Sequence, residues 1–405
     1  MNSASTDSFE TVAGPRETGR GWALARYVVA ATLVRSADGG AVVAIVLLAH
    51  ASGLPGWIAG LLGASITAPH LLGPFIARRL DTAQDGRKVI AISALVHGVL
   101  LGAAGLLLPV TWAVAPAVLL VVSGLFGPML TGGVSSRLPS IAGPSQRSQR
   151  RAHGWDVASY GLSGTLGPAV VAWIVAGPGP LTATLVLAAA AIIGAGGVLV
   201  LPRQDPPLSA VDVPLPGRTL LAIGRSGPLR RTLALTITVA FSVAVLPIYA
   251  VAVAPSLGGA ALAGTLVAVY GIGSLAGSAL LMAWPLRGDS DRLTPVLALV
   301  VAASLAVVIV VPGLVTSLVA FGLAGIANSL FFAATLAARS EYAPVEARGQ
   351  VFIWVGALKI AAGSAGTAVA GALIGVTWLP IAVVAGLTAV SATVCAVARR
   401  RQSQR

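Results

Sequence analysis

Residues 27–50 read YVVAATLVRSADGGAVVAIVLLAH. A stretch of this length and character matches the ~20 apolar residues that a helix needs to cross ~30 Å of hydrocarbon. Yet Arg35 and Asp38 stand near its middle, where each charge costs about 2.5–3.5 kcal/mol on insertion scales. Whether the stretch is a membrane span or a soluble core helix decides the fold. The remainder of the chain answers the question. Of its 405 residues, 56% are apolar and only 10% are charged, against about 25% charged in soluble domains. Such a deficit points to a bilayer as solvent, and the abundant glycine is tolerated in transmembrane helices.

Twelve stretches are long and apolar enough to span, at about 23–49, 56–78, 89–109, 112–135, 153–177, 180–201, 231–253, 258–284, 293–312, 313–338, 347–375 and 378–398. Only a turn around Pro312-Gly313 separates the ninth from the tenth. The basic residues select an orientation. Both tails and every even-numbered gap carry arginine or lysine: Arg16, Arg20 and Arg26, then Arg78 to Lys88, Arg137 to Arg151, Arg203 to Arg230, Arg287 with Arg292, Arg339 with Arg348, and Arg399 to Arg405. The six odd-numbered gaps carry none. Positive charge stays inside, so both termini are expected in the cytoplasm. The same loops attract anionic lipid, which accounts for the net charge of +13 without nucleic acid. Trp57, Trp112, Trp173 and Trp378 fall at expected outer ends, and Trp22, Trp155, Trp284 and Trp354 at inner ends, as an interfacial belt requires. The first 21 residues lack the apolar core of a signal peptide, so the first span is expected to act as its own targeting signal.

The longest polar interval, PRQDPPLSAVDVPLPGRTLLAIGRSGPLR at 202–230, divides the spans six and six. Its second part has the pattern of a short basic amphipathic segment at the membrane surface. The expected organisation is a tail over 1–22, a six-helix bundle over 23–201, the connecting loop over 202–230, a second six-helix bundle over 231–398 and a tail over 399–405. A weak repeat relates the bundles: GLFG at 124–127 aligns with GLAG at 322–325, and SGTLGPAVVA at 163–172 with AGSAGTAVAG at 362–371. The fold class is therefore an all-α integral membrane protein of twelve transmembrane helices in two pseudo-repeated bundles. That architecture places solute sites at the repeat interface.

On these spans and on three stretches the chain resembles the major facilitator superfamily over about residues 22–399. The loop ARRLDTAQDGRK at 77–88 is similar to the family's gating loop at Asp81, Gly86, Arg87 and Lys88, with Ala77 in place of the first glycine and a longer Asp-to-Gly gap. The resemblance implies that Asp81 gates opening beside a helix N-terminus, where a carboxylate gains ~0.3–1 kcal/mol. A solvated turn that only enforces topology is the alternative. The fifth span, GWDVASYGLSGTLGPAVVAW, is similar to the antiporter subgroup at Gly154, Ser163, Gly167 and Pro168, with Ser163 in place of a glycine. Small residues let helices approach, and Pro168 removes a backbone donor. RSADGGAVVAIVLLA at 35–49 and EYAPVEARGQVFIWVGALKIAAGSAG at 341–366 look like actinobacterial-type members. The resemblance implies a secondary transporter of a bacterial inner membrane, with drug:proton antiport as the nearest subgroup.

Three charges stand well inside spans: Arg35, Asp38 and Lys359. Arg35 and Asp38 are i and i+3, neighbours on one helical face, and are expected to pair ~21 Å from the cytoplasmic end. Asp38 is then the candidate proton-coupling or substrate carboxylate, with Arg35 tuning it. The alternative is a permanent ion pair that fixes helix packing. Lys359, ~18 Å into the eleventh span, is a candidate for an anionic substrate group or a counter-ion to Asp38. His70, Tyr160 and Asn328 can line a cavity or bond between helices. His97 is expected to be a hydrogen-bonded structural residue, His50 and His153 to be interfacial, and Asp156 to sit in the first turn of its helix. No nucleotide-binding glycine loop, metal-ligand spacing or nucleophile triad is present, so neither an enzyme nor a cofactor or metal is expected. The expected partners are the lipid bilayer, a small organic solute and protons as coupling ion, with a monomer as the working unit. An importer or uniporter, or a non-transporting scaffold or receptor with the same fold, are the rival functions.

Overall fold

The computed structural model describes residues 16–204, 213–259, 262–310, 313–373 and 378–403. Pro312 and Arg405 lie outside the described residues. Within them the chain forms α-helices and turns and no strand. The first half runs α1 (Arg16–Ala51), α2 (Gly56–Thr67), α3 (Gly73–Thr82), α4 (Gly86–Leu107), α5 (Val114–Gly124), α6 (Leu138–Ala142), α7 (Gln146–Ala176) and α8 (Pro180–Leu199). A short α9 (Pro216–Arg225) leads into α10 (Gly227–Val243), α11 (Leu246–Leu257), α12 (Leu262–Ala283), α13 (Ser290–Val310), α14 (Leu314–Tyr342), α15 (Arg348–Ala372) and α16 (Trp378–Ser403).

Among the described residues, 11 helical segments are long and apolar enough to cross a bilayer. α7, with 31 residues, is a further long helix. Four of the segments are not continuous α-helix, one of them only in that a 3-10 turn at Val345–Ala347 leads into α15. A 3-10 turn at Ala68–Leu72 joins α2 to α3. Pro69 lies within it and Pro74 just beyond it, and neither has an N–H to continue the α ladder. A π-helical turn at Met129–Gly133 follows Pro128 and leads on to α6. α10 and α11 meet at Ala244 and Val245. Such non-α turns leave carbonyls free for other donors and occur often at functional sites.

What faces outward confirms the bilayer. On α4, Ile92, Val99 and Leu106 are 59%, 52% and 55% exposed. Their sevenfold spacing makes one apolar stripe directed away from the protein. Inward faces build separate cores. Leu62, Leu101, Leu120 and Leu187 fill one core of the first half, and Leu130, Val134 and Ile353 belong to another. Leu235, Leu305, Phe321 and Ile381 fill the core of the second half. A smaller cluster of Val157, Leu281, Phe332 and Phe352 joins the two halves.

The gaps rich in arginine gather at one end of the bundle, here termed the basic end. Arg231 pairs with Asp291 (2.6 Å), Arg399 with Asp289 (3.1 Å) and Arg150 with Glu341 (2.8 Å). Trp22, Trp57, Trp112, Trp173, Trp284 and Trp378 are exposed. Trp354 departs from the expected belt: it is buried, and its indole donates to the Pro216 carbonyl (3.0 Å). That bond draws α9 onto α15, so the segment expected at the membrane surface has a protein-facing side, with Ile223 and Thr219 buried.

Two helices begin earlier than hydropathy implied. α7 starts at Gln146, where the Ser145 hydroxyl accepts from the Ser148 N–H (3.1 Å), and α1 starts at Arg16. Hydropathy marks where hydrocarbon begins. A helix ends only where its backbone loses partners or gains a cap.

Candidate functional site

Arg35 does not pair with Asp38. Its guanidinium lies 2.8 Å from the Asp156 carboxylate of α7. Nη1 also donates to the Ser159 hydroxyl. Nη2 donates to the Ser135 hydroxyl (2.8 Å) and to the Thr131 carbonyl in the π-helical turn (3.2 Å). The guanidinium carbon stands 3.7 Å above the Tyr160 ring, and the Tyr27 hydroxyl donates to the same Asp156 oxygen (2.6 Å). Helical side chains lean toward their own N-terminus, so a long Arg35 side chain moves away from a residue three positions later. Asp156 was expected in a first turn under the influence of the helix dipole. It lies ten residues inside α7 and is completely buried. A signal for it existed: Asp156, Ser159, Tyr160 and Ser163 are spaced as one polar stripe on a helix.

Asp38 faces a different partner. His70, carried by the 3-10 turn, places Nε2 3.3 Å from Oδ1 and 3.5 Å from Oδ2, and only the longer contact is aligned as a hydrogen bond. The other ring nitrogen, Nδ1, lies 2.9 Å from the Ile66 carbonyl. A carbonyl only accepts, so Nδ1 carries a hydrogen. Nε2 and a carboxylate oxygen then face each other, and one further proton must lie between them. It resides on the imidazole or on the carboxyl group. Gly127 makes room for this contact: a Cβ there would stand 2.6 Å from Asp38 Oδ1 and overlap the His70 ring. His97 is buried and hydrogen-bonded to Ser123 through Nδ1 (3.0 Å), and its Nε2 has no partner among the described residues. His153, expected at the interface, is buried, and its Nδ1 has no partner among the described residues. His50 is exposed.

Lys359 is no counter-ion to Asp38. Its ammonium sits 3.7 Å from the Phe332 ring centroid and 5.6 Å from that of Tyr160. It lines a cavity of about 650 Å³ between α7, α11, α12, α14 and α15, with Tyr160, Tyr270, Phe321, Asn328 and Pro168 among the walls. His70 does not line this cavity.

The two halves close on each other at the basic end. Asp81, at the end of α3, accepts from the first N–H groups of α15, Gly349 (2.8 Å) and Gln350 (2.8 Å). The positive end of a helix favours a carboxylate there. Asp85, and not Asp81, caps α4, accepting from the Arg87 N–H (3.1 Å). The Arg87 side chain hydrogen-bonds the Asp85 carboxylate and holds it down at about 2. Arg87 also donates to the Leu201 carbonyl (2.7 Å), and a Cβ on Gly86 would stand 2.6 Å from Arg137. The antiporter-like residues of α7 divide between two neighbours. Gly154 abuts Leu281 and Met282 of α12 across the halves, whereas Ser163 donates to Thr32 of α1 (3.2 Å) and Gly167 faces Ser36 of α1. Among the described residues no three His, Cys, Asp or Glu side chains come together for a metal.

Solved structures decide what this architecture is. The proton:xylose symporter XylE superposes with a TM-score of 0.71 at 12% identity, covering 93% of this chain and 95% of that one. The human organic anion transporter MFSD10 gives 0.68 at 14% identity, covering 92% and 99%. FucP, a major facilitator superfamily transporter in its outward conformation, gives 0.69 at 13% identity, covering 91% and 97%. The chain has the major facilitator superfamily fold. No protein-family model and no curated protein sequence matches it. At this identity the likeness is one of fold, and function rests on the side chains above. The chain is a multi-pass membrane protein with this fold.

Proposed function

We propose that the chain is a secondary active transporter that moves a small organic solute by alternating access and exchanges protons through the Asp38–His70 pair. Two six-helix bundles, residues 23–201 and 231–398, rock about the cavity that Lys359 lines. The carrying observation is the Asp38–His70 contact. Its geometry demands one proton more than Nδ1 holds, and the Asp38 side chain is 10% exposed, so solvent on the open side can exchange that proton. Histidine is the side chain whose ordinary titration falls at physiological pH. With the basic end closed by Asp81 on α15 and by Arg150 on Glu341, protons load from the opposite end. When the basic end opens, those contacts break and the proton leaves there.

The orientation follows from the basic loops: the basic end is cytoplasmic and the membrane is a bacterial inner membrane. The direction is export, as the Gly-Pro pattern of α7 suggests, with a monomer as the unit. In proteoliposomes with an imposed pH gradient, a transported solute is expected to discharge the gradient, and Asp38→Asn is expected to reduce this to background while solute binding persists. Unchanged pH-driven transport in Asp38→Asn overturns the proton assignment. Accumulation down an inward proton gradient into right-side-out vesicles overturns export in favour of import. A broad solute panel that moves neither itself nor protons favours a scaffold or receptor.

A further inference from the structure

The cavity between the halves carries chemical information beyond the act of transport. Its walls are glycine, aliphatic and aromatic residues, with Tyr160, Tyr270, Phe321 and Phe332 supplying the rings. Its polar groups are few. Ser274 and Ser329 hydrogen-bond to each other (2.7 Å) and the Tyr160 hydroxyl is bonded to Ser135 (3.2 Å), which leaves the Asn328 amide and the Tyr270 hydroxyl as neutral partners for a guest. Among the described residues no carboxylate lines it, and Lys359 is the one charged side chain that does.

Among the described residues the ammonium of Lys359 has no anion in contact. Its contacts are the faces of Phe332 and Tyr160 at 3.7 and 5.6 Å, a cation–π cradle that fixes a cation without neutralising it. The charged groups that act on it are Arg339 and Arg35, both cationic. Arg35 is neutralised by Asp156. Arg339 is 2% exposed and meets the Thr335 hydroxyl (3.4 Å) and the rings of Phe332 and Phe352, with no carboxylate in contact among the described residues. The wall around Lys359 is therefore short of negative charge. Charges held away from water are ordinarily paired.

We infer that the cavity takes an amphipathic organic monoanion, its carboxylate or equivalent acid group on Lys359 and its aromatic or branched apolar body against Tyr270, Phe321 and Phe332. A cavity of about 650 Å³ falls within the range of pockets that bury most of a drug-sized ligand. One ammonium suits a single negative charge. A polyanion leaves charge unmatched against apolar walls, and an organic cation meets Lys359 with Arg339 behind it. The inference rests on the transport reading for passage across the membrane, and on the cavity alone for binding.

The test uses the purified full-length chain in nanodiscs. Matched pairs share a skeleton and differ in charge: 1-naphthylacetate against 1-naphthylmethylamine, 3-phenylpropionate against phenethylamine, and 4-methylpentanoate against isopentylamine. Binding is read by calorimetry and by thermal shift. The carboxylate is expected to bind more tightly than its amine in at least one pair. Lys359→Met is expected to lower that carboxylate's affinity by roughly 10- to 100-fold, the loss of one charge-assisted contact, and Lys359→Arg to retain most of it. Lys359→Glu is expected to reverse the preference toward the amine. Unfolding temperatures of the three variants report on folding separately. No carboxylate binding in any pair, preference for the amines, or carboxylate binding unaffected in Lys359→Met each overturns the inference. Carboxylate binding that depends on Lys359 without uptake into proteoliposomes supports the site and overturns the transport reading instead.

Discussion

Arg35 and Asp38 stand one turn apart on the same helix, yet they occupy opposite kinds of environment. Arg35 is enclosed: an ion pair, hydroxyl and carbonyl acceptors and an aromatic face surround its guanidinium. Asp38 is sparsely held: one imidazole at 3.3 Å, imperfect alignment and a glycine opposite. The first arrangement ties α1 to α7 and to the π-helical turn and Ser135 that precede α6, through a charge that cannot be removed without leaving its partner unpaired. The second is the contact proposed above to exchange a proton. Two charges of equal insertion cost thus differ in the density of their hydrogen bonding, and the proposed division between stability and exchange rests on that difference.

The strongest attack on this contrast is Asp156→Ala. It leaves Arg35 buried and unpaired, and a loss of about 3–5 kcal/mol is expected. Asp38→Asn is expected to change stability by about 1 kcal/mol or less, because its surroundings are already loosely matched. Reversible unfolding in mild detergent measures both, and equal losses break the contrast. Gly127→Ala comes next. The helical backbone tolerates alanine, but the added methyl overlaps the Asp38–His70 contact, so a loss of about 1–3 kcal/mol from overpacking and a shifted pH profile of transport are expected together. A stable variant with an unchanged profile removes the pair from the mechanism. Tyr27→Phe deletes one hydrogen bond to the Asp156 carboxylate, for an expected loss of about 1.5 kcal/mol, with the pH profile unaltered. The smallest expected effect is that of Asp85→Asn. Hydrogen bonding from Arg87 holds the Asp85 carboxyl at about 2, below its unfolded value. Its contribution is therefore complete above the ordinary carboxylate range and fades only as pH falls toward 2. Between pH 5 and 8 the transport profile of Asp85→Asn is expected to superimpose on that of the parent, which sharpens the assignment of any titration there to Asp38 and His70.

The two halves extend the comparison. Repeat glycines Gly124 and Gly127 correspond to Gly322 and Gly325. Gly124 abuts the backbone of Ile66 in the 3-10-broken span, whereas its counterpart Gly322 meets only the Val269 side chain, and Gly325 abuts the backbone of Tyr270 in α12. The close backbone approach therefore falls on the first glycine of the motif in one half and on the last in the other. Gly127 alone opens onto ionisable groups. The first half concentrates the buried charges, and the second supplies Lys359 and aromatic walls.

Much of this was legible in residue order. Membrane immersion, the number of long helices, and the grouping of basic loops follow from transfer free energies, which depend on local composition. Depth along the chain also placed Arg35, Asp38 and Lys359 mid-span. Partner choice was not legible. Arg35 had Asp38 within one turn and took Asp156, 121 positions away. His70 reached Asp38 because two prolines reshape a turn of the second span. Lys359 found ring faces in place of an acid, and Asp81 found the start of α15. Spacing on a helix states which residues share a face. Which face meets which helix, and where a leaning side chain ends, is set by packing between segments far apart in the chain. Only the assembled bundle therefore distinguished the densely bonded charge from the sparsely held one.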